Sequence, residues 1–335
     1  MLVIPFFIQH QGCPHRCLFC NQWAIAGEGA AGGGDPVDDL RRTIVTWLGY
    51  RRAGVAVELA FFGGSFSCLE EPLQQRLLAA VQPYLHEGTI ESVRISTRPD
   101  CLDRERFDFL RAYGVRTVEI GAQSLQDPVL RQARRGHTVA DVEAAVALVS
   151  GSGCRIGLQL MIGLPGETTG SFLRGIERVI ALRPHFVRLY PTLVLRGTGL
   201  AELYRQGWWQ PLSLSRAVIL AGRARSRLLA AGIGVVRLGL QPSVDLECHL
   251  EAGPHHPAFG ELVLSREWYR RIRPLLRAAG PGRRVEITIS PRDRSACVGP
   301  RQGNLQRLRA LPSAATLTLR TDTGLDRGQI HHVIR

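Results

Sequence analysis

The stretch QGCPHRCLFCNQ, residues 11–22, decides how the chain reads. It sets Cys13, Cys17 and Cys20 in a C-x3-C-x2-C spacing directly after an apolar, β-rich run. Three thiolates within one short loop can wrap a cubane [4Fe-4S] cluster and leave one of its irons without a protein ligand, open to a further one. A zinc site completed by His10 or His15 is the alternative, since zinc favours four protein ligands. Cys68, Cys101, Cys154, Cys248 and Cys297 stand singly and read as buried, unligated thiols. Ligation rather than bridging is expected, because a chain of 335 residues does not need disulfide staples to hold a core.

Outward from that loop, apolar runs alternate with segments of helical period, the pattern of a parallel sheet with crossover helices. Strands are expected at 2–9, 55–62, 92–97, 117–121, 155–163 and 186–190, and helices at 37–50, 71–85, 104–113, 139–150, 168–181 and 214–231. Six such units predict an α/β fold, a partial (β/α)6 TIM-like barrel, with the chemistry on the loops that follow the strands. An open doubly wound sheet is the alternative. Beyond them a strand at 235–240, a loop rich in His, Pro and Gly, a helix at 261–279, strands at 284–289 and 316–319 and a helix near 302–311 predict a small α/β extension. The expected division is a core over 1–240 and a C-terminal extension over 241–335, with His331 and His332 frayed at the terminus.

The strand exits carry the remaining candidates. FFGGSF (61–66) places Gly63 and Gly64 where a ligand can approach uncovered backbone. STRPD (96–100) puts Arg98 on the reactive rim, to neutralise a carboxylate of cofactor or substrate or to pair with Asp100. In VEIGAQSL (118–125), alternation sets Glu119, Gly121 and Gln123 on one face, where they would line a barrel mouth or form an internally satisfied polar layer. RRGHT (134–138) offers His137 as a proton-transfer group. GLQLMIGLPGET (157–168) aligns Gln159 with Met161, and VRLYPTLVLRGT (187–198) presents Tyr190, a phenol able to stack on substrate or donate a hydrogen atom, or a half-buried core residue.

Taken in order, CPHRCLFCNQ, FFGGSF, STRPD, EIGAQS, RGHT, LQLMIGLPGET and RLYPT resemble the radical S-adenosylmethionine (SAM) superfamily. Over roughly residues 1–240 they are similar to the radical SAM portion of the Elongator catalytic subunit. PTLVLRGT, LGLQP and PHHPAFGELVLSR look like a bacterial branch of Elongator-like radical SAM proteins. The resemblance implies that Cys13, Cys17 and Cys20 hold a [4Fe-4S] cluster whose open iron chelates SAM. It implies that one electron from an external reductant cleaves SAM to a 5′-deoxyadenosyl radical that abstracts hydrogen from a substrate. It further implies that Gly63 and Gly64 hydrogen-bond the methionine amino group, that Glu119 and Gln123 face the ribose and methionyl end, and that the turn after Gln159 and Met161 holds adenine. In the Elongator subunit the radical domain works with an acetyl-coenzyme A domain to build a carboxymethyl group on the wobble uridine of transfer RNA. This sequence departs from it in a tighter cysteine spacing and a C-terminal piece expected to be too short for acetyl transfer.

Charge points the same way. The net charge is +13, and all 42 basic residues are arginine. Without lysine there is no Schiff-base lysine, no GK[ST] phosphate loop and no lysine general base. An arginine excess favours polyanions, transfer RNA among them, because guanidinium groups pair with phosphates; a merely solvated basic surface would suit a small-molecule or peptide substrate instead. A non-catalytic iron–sulfur or RNA-binding module is the reading from outside the enzymes. No run reaches the ~18 apolar residues of a membrane helix, and without a basic leader the expected location is the cytoplasm.

Overall fold

The computed structural model describes residues 1–8, 11–21, 24, 34–312 and 315–335; the expected strand end at Gln9 and the zinc candidate His10 lie outside them. Two compact units make up the chain, residues 1–213 with 226–255, and residues 214–225 with 256–335.

The first unit is built on one parallel sheet of seven strands, ordered β1-β2-β3-β4-β5-β6-β8 and curled into part of a barrel. They are β1 (Leu2–Phe7), β2 (Val57–Phe62), β3 (Ser92–Thr97), β4 (Val115–Gln123), β5 (Arg155–Ile162), β6 (Phe186–Pro191) and β8 (Gly234–Leu238). Strand order follows chain order without the reversal that defines a doubly wound sheet, so that alternative falls. The expected strand at 235–240 joins the sheet as a seventh member, paired with β6. Crossover helices run over Pro36–Leu48, Glu71–His86, Arg104–Ala112, Val139–Val149 and Thr169–Leu182. Asp35, Asp103, Thr138 and Thr168 cap four of them through side-chain oxygens that accept backbone N–H groups.

Two further pairings keep later residues on this unit. β7 (Val194–Leu195) pairs antiparallel with β9 (Leu250–Ala252), and Leu246 packs with Leu193 and Leu195. The helices Asp127–Gln132, Gly199–Arg205 and Val244–His249 leave no period in the sequence, because two turns or fewer offer too few positions to show one.

The second unit centres on β10 (Arg284–Ile289), flanked in parallel by β11 (Thr316–Thr321) and antiparallel by β12 (Ile330–Ile334). Helix Phe259–Ala279 lays Trp268, Tyr269, Ile272 and Leu276 against Val285, Ile287 and Ile289. His331 and His332 are not frayed. They pair with Thr288 and Ile287, because β10 would otherwise leave one edge of its backbone unpaired. Buried Asn304 ties the helices together, its Nδ2 donating to Ser265 O at 2.7 Å and Cys297 O at 3.2 Å.

Candidate metal and cofactor site

The cysteine loop leaves the C-terminal end of β1 and is gripped from three sides by loops that follow other strands. Glycines make that grip possible. A β-carbon on Gly12, whose φ is +70°, would run into Ser65 O and the Leu69 amide; one on Gly64 would strike Gln11 O and Ile8 O; one on Gly136 would strike the His15 ring. Backbone bonds complete it: Ser65 N donates to Gln11 O at 3.1 Å, Leu18 N to Ala133 O at 3.1 Å, and Leu200 N to Leu18 O at 2.7 Å. Phe19 packs against Met161, Val129, Ala133 and Leu164, so Met161 supports the cysteine loop. The backbone that approaches Gly64 is therefore that of the cysteine loop itself, and Gly63 turns the chain there at φ +95°.

Cys13 and Cys20 are half-buried, and Cys17 is only 9 % exposed. Its Sγ accepts from Nη1 of Arg135 at 3.0 Å. A buried guanidinium that donates to sulfur suits a thiolate ligand, and three thiols on one short loop are the donor set of a site-open cubane. Among the described residues no three His, Cys, Asp or Glu side chains converge as a single ion would need. Thiolates of a cubane each bind a separate iron, so they surround a cluster rather than meet at one ion.

Beside the loop, the exits of β2 and β3 are stitched together. Ser65 Oγ lies 3.0 Å from Thr97 Oγ1 and accepts the Arg98 amide at 3.1 Å. Arg98 is 2 % exposed and grips Asp100 through Nε and Nη2 at 2.9 and 2.7 Å. Of its two expected roles, pairing with Asp100 is the one the geometry holds. Burial alone would raise the Asp100 pKa, but the hydrogen bonds and charge of Arg98 outweigh it and keep that carboxyl below its ordinary value. Cys68 and Cys101, read as separate thiols, form a disulfide with Cα atoms 5.4 Å apart. They come together because β2 and β3 are sheet neighbours and each ends in a short 3-10 turn, Phe66–Cys68 and Pro99–Cys101.

His137 is buried, its Nε2 3.2 Å from Ala122 O. Burial first, then the charges of Arg135 and Arg98, push its pKa down to about 4, so it is neutral at physiological pH. Its Nδ1 has no partner among the described residues.

Glu119 lies in a buried ionic layer rather than on the rim. Arg94 Nη1 donates to it at 2.8 Å, Arg188 Nη2 stands 3.3 Å away, and Arg94 Nε also bonds Glu58 at 2.7 Å. The expected alternation through Gln123 fails because β4 slips register against β5 between Ile120 and Gln123, a bulge that leaves Gln123 at φ +62°. The slip still brings Gln123 to Gln159, whose Nε2 donates to Gln123 Oε1 at 3.4 Å. Tyr190 accepts from Arg188 Nη1 at 3.4 Å, and burial raises its pKa. Glu167, passed over in the sequence, braces the turn after β5 by accepting the Gly163 amide at 2.7 Å; burial lifts its pKa to about 7. Arg135 was visible only as a member of RRGHT; nothing local in the sequence aims it at Cys17.

A curled parallel sheet with a three-cysteine loop beyond its first strand defines a radical SAM protein. The model of that superfamily matches residues 8–179 and that of the radical SAM C-terminal domain matches residues 184–269; the chain belongs to the radical SAM superfamily. Enzymes of this superfamily use a [4Fe-4S] cluster to cleave SAM reductively. More particularly, the chain is 33 % identical over 234 residues to Elongator complex protein 3 of Danio rerio, covering 63 % of this chain and 41 % of that protein. It is 26 % identical over 251 residues to the tRNA uridine(34) acetyltransferase of Methanocaldococcus infernus, covering 64 % and 47 %. The chain thus spans less than half the length of these relatives. The structure of the archaeal Methanocaldococcus infernus Elp3 shares the fold with a TM-score of 0.64 at 23 % identity, over 81 % of this chain and 63 % of that one. Among the described residues no helix is long and apolar enough to cross a membrane.

Proposed function

We propose that the chain is a radical SAM enzyme whose hydrogen donor is a transfer RNA, working in the cytoplasm with an external one-electron reductant. One observation carries the substrate: the similarity to Elongator complex protein 3 and to a tRNA uridine(34) acetyltransferase extends over nearly two thirds of the chain. Charge supports it. In the second unit, burial together with the like charges of Arg270, Arg307 and Arg223 lowers the Arg266 pKa, the mark of an arginine cluster that a phosphate backbone would relieve.

Cys13, Cys17 and Cys20 would hold the cluster. The turn at Gly63 and Gly64, the Gln123–Gln159 pair and the strand end at Met161 would hold SAM, with Arg98 bracing the loop after β3 and Glu119 the ionic layer within the sheet. When bound, the two cofactors supply a 5′-deoxyadenosyl radical that takes a hydrogen atom from substrate. Tyr190 would meet the substrate with a phenol that burial keeps protonated, and His137 would offer a neutral nitrogen. The proposal keeps a core and a C-terminal extension, with the boundary expected at 240 moved to 255, since residues 226–255 lie in the first unit and the second takes up residues 256–335 together with 214–225.

The test is anaerobic: reconstitute with iron and sulfide, reduce, add SAM, and quantify 5′-deoxyadenosine with and without transfer RNA beside Cys17→Ala. Cleavage that is lost in Cys17→Ala and stimulated by transfer RNA supports the proposal. Cleavage indifferent to RNA turns it toward a small-molecule or peptide substrate, and a formed cluster without cleavage toward a non-catalytic module.

A further inference from the structure

We propose that Arg135 sets how readily the cluster accepts its electron, through the charge-assisted hydrogen bond from Nη1 to Sγ of Cys17. The inference rests on the reading of Cys17 as a cluster ligand. Arg135 is 7 % exposed, and its guanidinium is held at two points, Nη1 on Cys17 at 3.0 Å and Nη2 on Gly121 O at 2.7 Å. Its backbone is held as well, since its carbonyl accepts from Arg98 Nη2 at 2.6 Å while Asp100 clamps Arg98. Left-handed residues on both sides, Arg134 at φ +51° and Gly136 at φ +79°, turn the chain where the side chain is directed inward.

Asp100 neutralises Arg98, but among the described residues no carboxylate pairs with Arg135. A buried, uncompensated cation is costly, so the charge that balances it is the thiolate and the cluster behind it. In the step concerned, one electron passes from a low-potential one-electron donor to the cluster; no bond forms or breaks and no proton moves. The added negative charge lies close to the guanidinium, which stabilises the reduced state more than the oxidised one. Hydrogen bonds to sulfur are among the levers by which a protein sets a cluster's potential. Arg135 is a positioning and tuning residue, and cluster reduction is where its loss is felt.

The experiment is a dithionite titration of the reconstituted full chain, followed by electron paramagnetic resonance, on wild type, Arg135→Gln and Arg135→Lys. Arg135→Gln is expected to make reduction tenfold less favourable, a fall in midpoint of about 59 mV for one electron, and Arg135→Lys to recover most of it. Arg135→Gln with wild-type iron and sulfide content and the wild-type midpoint overturns the proposal. Should Arg135→Gln take up no iron, the wild-type cluster decides: exchangeable-proton couplings that change in deuterium oxide uphold the bond to sulfur, and their absence overturns it. The titration needs neither SAM nor RNA, so failure to cleave SAM leaves its outcome standing, whereas a wild-type chain that binds no iron overturns both.

Discussion

Arg94 and Glu119 meet across neighbouring strands, Nη1 2.8 Å from Oε1, with side-chain exposures of 7 % and 3 %. The same guanidinium holds Glu58, which also accepts from Thr117 Oγ1 at 2.7 Å. Arg94→Leu leaves two buried carboxylates with only Arg188 near one of them. Removing one partner of a buried pair costs about 3–5 kcal/mol, so urea unfolding should show a loss of that order. A change below about 1 kcal/mol would mean that this buried ionic layer does not hold the sheet together.

Gly64 lies against the carbonyls of Gln11 and Ile8, which are backbone and cannot rotate away. Gly64→Ala should dislodge the cysteine loop and reduce the iron bound per chain after reconstitution, while Gly303→Ala, where a β-carbon meets nothing within 4 Å, leaves it unchanged. Equal iron in both variants would show that the loop does not depend on this close approach.

The pairing of Cys68 with Cys101 is open to counting. The chain has eight cysteines. Denatured without reductant and without iron it should present six reactive thiols, eight less the bonded two, and all eight after reduction. Cys68→Ser should lower the stability of the oxidised chain by roughly 2–4 kcal/mol and leave the reduced chain little changed; identical effects in both states would contradict the bond.

Two buried groups give opposite pH slopes. His137 titrates at about 4 when folded against 6.5 when unfolded, so between those values only the unfolded chain holds the proton. Its stability is present above 6.5 and lost as pH falls toward 4, a change on the order of 3 kcal/mol. Glu167 titrates at about 7 when folded against 4.5, so there the folded chain holds the proton and stability is lost as pH rises from 4.5 toward 7. Urea midpoints from pH 4 to 8 should climb with pH in Glu167→Gln and fall with pH in His137→Gln. Slopes of the same sign in the two variants would refute the assignment.

Much of this protein is local in its sequence. Cysteine spacing, the glycines after β2 and the alternation of apolar strands with periodic helices each depend on residues a few positions apart, and so the partial barrel and its three-cysteine loop can be read directly. The same was true of Ser92–Thr97 and Arg284–Ile289, which form strands over the expected residues. What the folded chain alone decided is pairing. Arg135 reaches Cys17 across 118 residues, Cys68 finds Cys101 because β2 and β3 adjoin, and Glu119 falls to Arg94 and Arg188 instead of the rim. A single bulge in β4 turns Gln123 out of its expected alternation and onto Gln159. In a parallel sheet, loops far apart in sequence meet at the strand ends, and which side chains face one another there is set by register and backbone sign, neither of which a composition or a period encodes.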